Sequence, residues 1–151
     1  AGSLGREGRW HVGAPDPSLT TLDPHRWSRP GIDWVTATPV ALGRFPAGMG
    51  RKGTGRRESA SAAILDAASE DIRRACGHVG LPEPLSVQVS LAPLLEGALP
   101  VRSYPPFTRG GVRRALVHAA ISFAEPVRGP VVLGSGRYLG LGLFLPVGGQ
   151  Q

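Results

Sequence analysis

Alternation of apolar and polar residues predicts the β-strands of this chain. Residues 85–91 place four apolar side chains on one face and three polar ones on the other. Residues 112–123 are predicted to form one long strand, and residues 32–42 are the first strand candidate. Pro39 marks an edge, a bulge or the end of that first strand, because proline cannot donate to a sheet ladder. The LGLF stretch at 141–144 and its flanks predict a last strand.

A helix is predicted over residues 59–76, where apolar side chains recur at a period close to 3.6. The residues of that stripe are Ile64, Ala68, Ile72, Ala75 and Val79. Ser59 or Ser61 can cap its start, and Gly77 is predicted to end it.

The predicted order is therefore β, α, β, β, a degenerate helix position, and β. That order indicates an α+β, ferredoxin-like domain with an antiparallel sheet, one main helix and a C-terminal glycine-rich loop. Residues 1–30 show no clear period and are predicted to be a largely irregular linker or docking segment. The domain is expected to cover residues 31–147, with a tail at 148–151.

The composition of the chain gives it a strong positive charge. The formal net charge is +6, and all but one of the 17 basic residues are arginine, Lys52 being the exception. Arginine presents a planar fork to phosphate and stacks on bases, so the charge indicates a nucleic-acid partner. An arginine excess from a GC-rich genome is the alternative. The lone Cys76 rules out a disulfide framework within the chain and suits a cytoplasmic location. The absence of a long apolar run predicts no membrane partner.

The stretch LGSGRYLGLGLF at 133–144 first suggests a dinucleotide-binding loop. Such a loop must open a helix inside a βαβ unit, and only eleven residues follow Gly140. We therefore expect no nucleotide cofactor. The glycines can instead bring backbone N–H groups close to phosphate, while Arg137 adds a bidentate cation and Tyr138 a stacking face. A purely structural turn with Tyr138 in the core is the alternative.

Four stretches carry a resemblance to a known family: 33–42, 76–84, 113–123 and 126–144. They resemble the RAMP superfamily of CRISPR RNA-binding proteins, and most of all the C-terminal endoribonuclease-like domain of the fused repeat-RNA-processing subunit of type I-G (formerly I-U) systems. The family's chain is longer, so this one is expected to be its C-terminal part. The resemblance implies guide RNA with a repeat hairpin, other RAMP subunits of a type I surveillance complex, and an N-terminal domain of the same polypeptide as partners.

The resemblance also implies cleavage of precursor RNA without a metal. The RNA supplies its 2′-OH as nucleophile and leaves 2′,3′-cyclic phosphate and 5′-OH ends, while the protein moves protons and stabilises charge. Histidine is the usual proton carrier, and the spacing of the four histidines matches no metal motif. His118 is the first candidate, because its strand face also carries Arg114 and Ser122. His25, beside Arg26 and Trp27, is the second.

The predicted RNA-binding residues come from the basic loop, two strands and the glycine motif. They are Arg44, Arg51, Lys52, Arg114, Arg128, Gly134, Gly136, Arg137, Tyr138, Gly140 and Gly142. The loop that holds the catalytic histidine in many RAMP nucleases has Phe45 here and no histidine. Two alternatives to an endoribonuclease therefore stay open: a non-catalytic RNA-binding subunit of the same complex, and a basic scaffold domain that binds protein.

Overall fold

The computed structural model describes residues 2–3, 9–10, 13–14, 16, 18–44 and 57–148. The strands are β1 (Gly2–Ser3), β2 (Arg9–Trp10), β3 (Pro30–Thr36), β4 (Val40–Ala41), β5 (Ser86–Ser90), β6 (Phe107–Arg109), β7 (Val112–Arg114), β8 (Leu116–Arg128), β9 (Val131–Val132) and β10 (Leu143–Val147). The helices are α1 (Pro24–Ser28) and α2 (Arg57–His78). Short 3₁₀ turns lie at Thr20–Leu22, Val101–Ser103 and Arg137–Leu139.

The main sheet is antiparallel and is built around β8. β5 pairs with one edge of β8. On the other edge, β4 pairs with the start of β8 and β3 pairs with the rest of it. β10 pairs with the outer edge of β3, and β9 pairs with β10. The strands therefore lie in the order β5, β8, β3, β10, β9, and β4 continues the position of β3 beside β8. This α+β fold with an antiparallel sheet is compatible with the ferredoxin-like arrangement expected from the order of elements.

One face of the sheet packs against α2. Val117, Ala119, Ile121 and Phe123 alternate along β8 and are all at most 1% exposed, as their period predicts. The helix contributes Ala68, Ile72 and Cys76 to the same core. Trp34, Leu133 and Phe144 complete it from neighbouring strands and the loop after β9.

Several predicted boundaries were wrong. The 112–123 stretch is not one strand, because the chain leaves the ladder at Ala115 after forming the β6–β7 hairpin. The 32–42 stretch breaks between Thr36 and Val40, around Pro39, as the proline indicated. Of the apolar positions predicted along β5, Val87 and Val89 pack against the core, while Leu85 and Leu91 lie beyond the strand and are 69% and 57% exposed.

The helix α2 continues through Gly77 and ends at His78, three residues before Leu81. Gly80 has a φ of +77°, and its N–H donates to the Gly77 carbonyl. The N–H of Leu81 donates to the Cys76 carbonyl, which completes a Schellman motif. Gly80 is therefore the terminating glycine, and the prediction for Gly77 was wrong.

Residues within the predicted linker contain structure that its composition did not reveal. Asp23 caps α1 by accepting a hydrogen bond from the His25 N–H at 3.0 Å, and Pro24 occupies the first turn. Arg29 donates from Nη2 to the Pro146 carbonyl at 2.9 Å, which fixes the entry to β3 against β10. The proposed domain boundary at residue 30 stays a prediction.

Candidate nucleic-acid interface

A basic cleft of about 210 Å³ lies at the end of the sheet where β4 and β8 meet. We call it the arginine cleft and define it by Gly43, Asp71, Arg74, His78, Arg109, Ser135 and Arg137. Its walls come from the end of β4, the second half of α2, the β6–β7 hairpin and the glycine loop after β9. The fold thus brings together residues that lie up to 94 positions apart.

Hydrogen bonds to backbone carbonyls hold the hairpin against this cleft. Arg109 donates from Nη1 to the Ser135 carbonyl at 2.8 Å, and Arg114 donates from Nη1 to the Gly43 carbonyl. Phe107 and Arg114 are cross-strand partners in the hairpin. Each arginine has five N–H donors, so these contacts leave other donors available to phosphate oxygens.

The acidic side chain of the cleft is already engaged. Asp71 accepts a hydrogen bond from the Gly43 N–H at 2.6 Å and forms an ion pair with Arg74 at 3.1 Å. Its charge is therefore offset by a donor and a cation. The arginine excess at this end of the sheet remains, with Arg44 exposed one residue beyond Gly43.

The glycine loop has a packed base and an exposed tip. A Cβ at Gly134 would lie 2.5 Å from the Ala41 carbonyl oxygen, and one at Gly136 would lie 2.7 Å from the Leu141 side chain. A Cβ at Gly142 would overlap the Leu133 carbonyl. Close packing, of Gly134 on β4 and of Gly136 and Gly142 within the loop, thus explains these three glycines without a ligand.

The tip of the loop, Arg137–Leu139, faces solvent. Tyr138 is 78% exposed, so the alternative that places its ring in the core is wrong. The Arg137 guanidinium lies 4.7 Å from the centre of the Tyr138 ring and donates to its hydroxyl at 3.2 Å. Gly140 closes the tip with a φ of +80° and has no atom near its missing Cβ. This tip is the part of the motif that a partner can reach.

His118 does not lie in the arginine cleft, and its ring is fully buried. Its Nε2 donates to the Leu99 carbonyl at 2.9 Å, which makes Nδ1 the acceptor for the Thr36 hydroxyl at 3.0 Å. The Thr36 oxygen in turn accepts the Ala119 N–H at 3.0 Å. Burial lowers the pKa of His118 below its usual 6.5. Both ring nitrogens are occupied, which favours a structural role over the predicted catalytic one.

The remaining predicted residues are scattered. His25 is exposed on α1, at the opposite end of the sheet from the arginine cleft, and Arg128 lies at that same far end, where it pairs with Pro30. Arg51 and Lys52 lie outside the described residues. Of the predicted set, the structure brings Arg114, Arg137, Tyr138 and the loop glycines to one end, and Arg44 is next to them.

Sequence reasoning missed Arg74, His78, Arg109 and Ser135 as residues of a common site. Arg74 and His78 lie near the end of α2, where basic side chains suit the helix dipole, and Arg109 follows a stretch rich in proline and glycine. No local pattern connects them, because they meet only through the pairing of strands and the crossing of α2 over the sheet.

No described helix is both long and apolar enough to cross a bilayer. Within the same residues, no three His, Cys, Asp or Glu side chains cluster in a way that could hold a metal ion.

Comparison with known proteins gives one match. The model of a family described as CRISPR-associated protein, GSU0054 family, matches residues 9–146, which is most of the chain and covers the main sheet except Val147 at the end of β10. No curated protein and no solved structure matches.

Proposed function

The chain belongs to the GSU0054 family of CRISPR-associated proteins, and from that premise we propose that it binds CRISPR repeat RNA at the arginine cleft. It would do so as a RAMP subunit of a type I-G surveillance complex, with the repeat-derived 3′ region of the guide RNA as ligand. A CRISPR-related role follows from the family. The RNA, the RAMP assignment and the subunit partners are parts of the proposal.

The observation that carries the proposal is the convergence of arginines around one cleft. The cleft is lined by Arg74, Arg109 and Arg137. At its rim, Arg114 donates a hydrogen bond to the Gly43 carbonyl. Phosphate contacts supply most of the affinity of a protein for a nucleic acid, and arginine forks match phosphate geometry. A phosphodiester backbone is thus the ligand that best fits this charge.

The exposed tip adds a contact for a base. Arg137 covers one face of the Tyr138 ring, and the ring is otherwise largely exposed. Aromatic rings of this kind stack on unpaired RNA bases, and a neighbouring guanidinium strengthens the contact. Gly134, Gly136 and Gly142 act indirectly in this proposal, since their packing fixes where the tip projects.

Fluorescence anisotropy with a labelled repeat hairpin tests the proposal. We expect affinity to fall steeply between about 50 and 200 mM salt, because binding releases counterions. Arg109→Ala and Arg137→Ala should each weaken binding and lower the salt slope by about one. Arg26→Ala, an exposed arginine on α1, is the matched control and should bind as the wild type does.

The outcomes separate the competing classes. Tight, salt-dependent binding that the cleft variants weaken supports RNA binding. Binding that Arg128→Ala weakens and Arg137→Ala does not would move the interface to the opposite end of the sheet. A chain that binds no repeat RNA at low salt would contradict the proposal and leave the basic protein-binding scaffold.

Metal-independent cleavage is a second candidate, and the position of His78 favours it. His78 is exposed and lines the arginine cleft, so it can reach a phosphodiester held there. In that reaction the 2′-OH gives its proton to water as its oxygen forms a bond to phosphorus. The bond from phosphorus to the 5′-oxygen breaks, and the leaving oxygen takes a proton from the His78 imidazolium, which solvent then restores. The cleft arginines would stabilise the charge on the phosphorane.

Incubation of the labelled hairpin with the chain in EDTA tests cleavage. We expect products with 2′,3′-cyclic phosphate ends, and we expect His78→Ala to abolish them while His25→Ala does not. Loss of cleavage in a folded His118→Gln variant, with full activity in His78→Ala, would instead support the assignment made from the sequence. Tight binding without cleavage would identify a non-catalytic RNA-binding subunit.

A further inference from the structure

A second concave surface is lined by the β6–β7 hairpin and by residues 101–106, which precede it. It is a hollow of about 440 Å³, a volume within the range of sites that hold small organic ligands. We call it the aromatic hollow and define it by Arg102, Tyr104, Phe107, Arg113 and Arg114. Neither the family description nor the resemblance found in the sequence assigns a role to it.

The lining combines aromatic rings with unbalanced positive charge. Tyr104 and Phe107 are each partly exposed, so their rings are open to a ligand. No acidic residue lines the hollow, and the ion pairs within the described chain are Arg73 with Glu70 and Arg74 with Asp71. Arg102 and Arg113 are exposed and have no acidic partner among those residues. This pairing of stacking surfaces and free cations suits a nucleotide.

Arg114 connects the aromatic hollow to the arginine cleft. Its side chain lines the hollow, while its Nη1 donates to the carbonyl of Gly43 on the rim of the cleft. The Nε of the same residue is buried and has no hydrogen-bond partner among the described residues. The hairpin also contacts the cleft through Arg109, which donates a hydrogen bond to the Ser135 carbonyl of the glycine loop. A nucleic-acid strand leaving the cleft across this hairpin would therefore meet the hollow next.

We propose that the aromatic hollow binds an unpaired nucleotide that flanks the RNA hairpin. Its base packs against Tyr104 and Phe107, and its phosphates lie near Arg102 and Arg113. This proposal rests on RNA binding at the arginine cleft and adds a subsite for single-stranded RNA. Because any base can stack on an aromatic ring, the affinity of the subsite should depend on whether an unpaired flank is present more than on the sequence of that flank.

Two RNAs and two kinds of variant test the subsite in the full chain. One RNA is a blunt repeat hairpin, and the other carries a short unpaired flank. We expect the flank to tighten wild-type binding on the order of tenfold, as loss of a stacked base weakens binding by a similar factor. Arg102→Gln with Arg113→Gln should abolish that gain and weaken binding of the blunt hairpin far less, whereas Arg26→Gln should preserve the gain.

A fluorescent base analogue placed in the flank gives a second readout. Its emission should be quenched by wild-type protein and less so by Tyr104→Leu, a variant that keeps an apolar side chain. Equal affinities of the two RNAs for the wild type would overturn the subsite while leaving cleft binding intact. Failure of both RNAs to bind would instead overturn the proposed function. Unchanged RNA binding, with loss of assembly with other subunits, would mean that the hollow docks protein, which also overturns the subsite.

Discussion

At the scale of single residues, the His118 imidazole shows how a buried polar group is held neutral. The Leu99 carbonyl can only accept, so Nε2 must carry the proton and Nδ1 must accept from Thr36. A second proton would place a charge in a buried site and remove the acceptor for the Thr36 hydroxyl. The lowered pKa of His118 has the same cause, because burial disfavours the imidazolium.

This network predicts that the fold loses stability in mild acid. The folded pKa of His118 lies below the unfolded value of 6.5, so the unfolded chain binds more protons between those two values. Stability should therefore be highest above that window and fall as the pH drops through it. Urea unfolding from about pH 7.5 down to about pH 5 measures the effect.

Two histidine variants separate this effect from general acid destabilisation. His118→Gln should lower stability at neutral pH by about 1–3 kcal/mol, since it disturbs a buried network, and should flatten the drop in acid. His78→Asn, at an exposed position, should keep the wild-type pH dependence. The same drop in both variants would show that His118 is not its source.

The glycine loop makes a second prediction for single residues. Gly142→Ala should cost about 2 kcal/mol or more, because its Cβ would meet the Leu133 carbonyl and its φ is +74°. Gly140→Ala should cost only about 1 kcal/mol, because the φ of +80° is unfavourable but the space is open. Thermal or urea unfolding of both variants provides the comparison, and equal costs would contradict the close packing.

At the scale of elements, the end of α2 depends on a single glycine. Gly80 adopts the left-handed conformation and the Schellman bonds close around it, while Gly77 sits inside the helix. After the helix ends, the chain turns back through Leu81 toward β5. Before that strand begins, the carbonyl of Pro84 accepts a hydrogen bond from Arg73 at 2.5 Å. The termination therefore sets how α2 leads into β5.

Substitution of the two glycines should have opposite signs. Gly80→Ala should destabilise by about 1 kcal/mol, because alanine resists the positive φ. Gly77→Ala should stabilise by up to about 1 kcal/mol, because alanine favours a helix interior and nothing lies within 4 Å of the added Cβ. Unfolding midpoints in urea measure both, and a loss of stability in Gly77→Ala would contradict the boundary at His78.

At the scale of the whole molecule, the clustered arginines and the apolar core occupy different parts of the fold. The arginines of the cleft and the hollow gather at the end of the sheet where β4 and the hairpin lie, while the core between α2 and the sheet is apolar. The chain's single cysteine, Cys76, belongs to that core and is fully buried. Burial raises the pKa of the Cys76 thiol to about 11.

Cys76 should therefore report on opening of the whole fold. The native chain at about pH 8 should react with a thiol reagent about 10³-fold or more slowly than the unfolded chain, because the thiolate is disfavoured and the site is covered. RNA that binds the native state should slow the reaction further. Rapid labelling of the native chain would contradict the packing of α2 on the sheet.

The sequence by itself determined the main strands, the long helix and the sign of the charge. Alternation identified the buried face of β8, and the order of elements predicted an antiparallel α+β fold. The helical period identified Ala68 and Ile72 on the buried face of α2, although it also included Val79, which is exposed, and omitted Cys76, which is buried. These features depend on the spacing of neighbouring residues, so they are readable locally. The family resemblance predicted a CRISPR-associated chain, which the family match confirmed.

Only the tertiary structure decided which residues share a site. Arg74, Arg109 and Arg137 meet because strand pairing and the crossing of α2 bring three distant segments to one edge. His118 had a polar strand face in the sequence, but the Leu99 segment crosses that face and buries it. The glycines could equally have served a phosphate or close packing. The structure shows close packing at Gly134 against β4, and at Gly136 and Gly142 against Leu141 and Leu133 of the loop itself. Long-range packing has no local signature, which is why spacing could not reveal it.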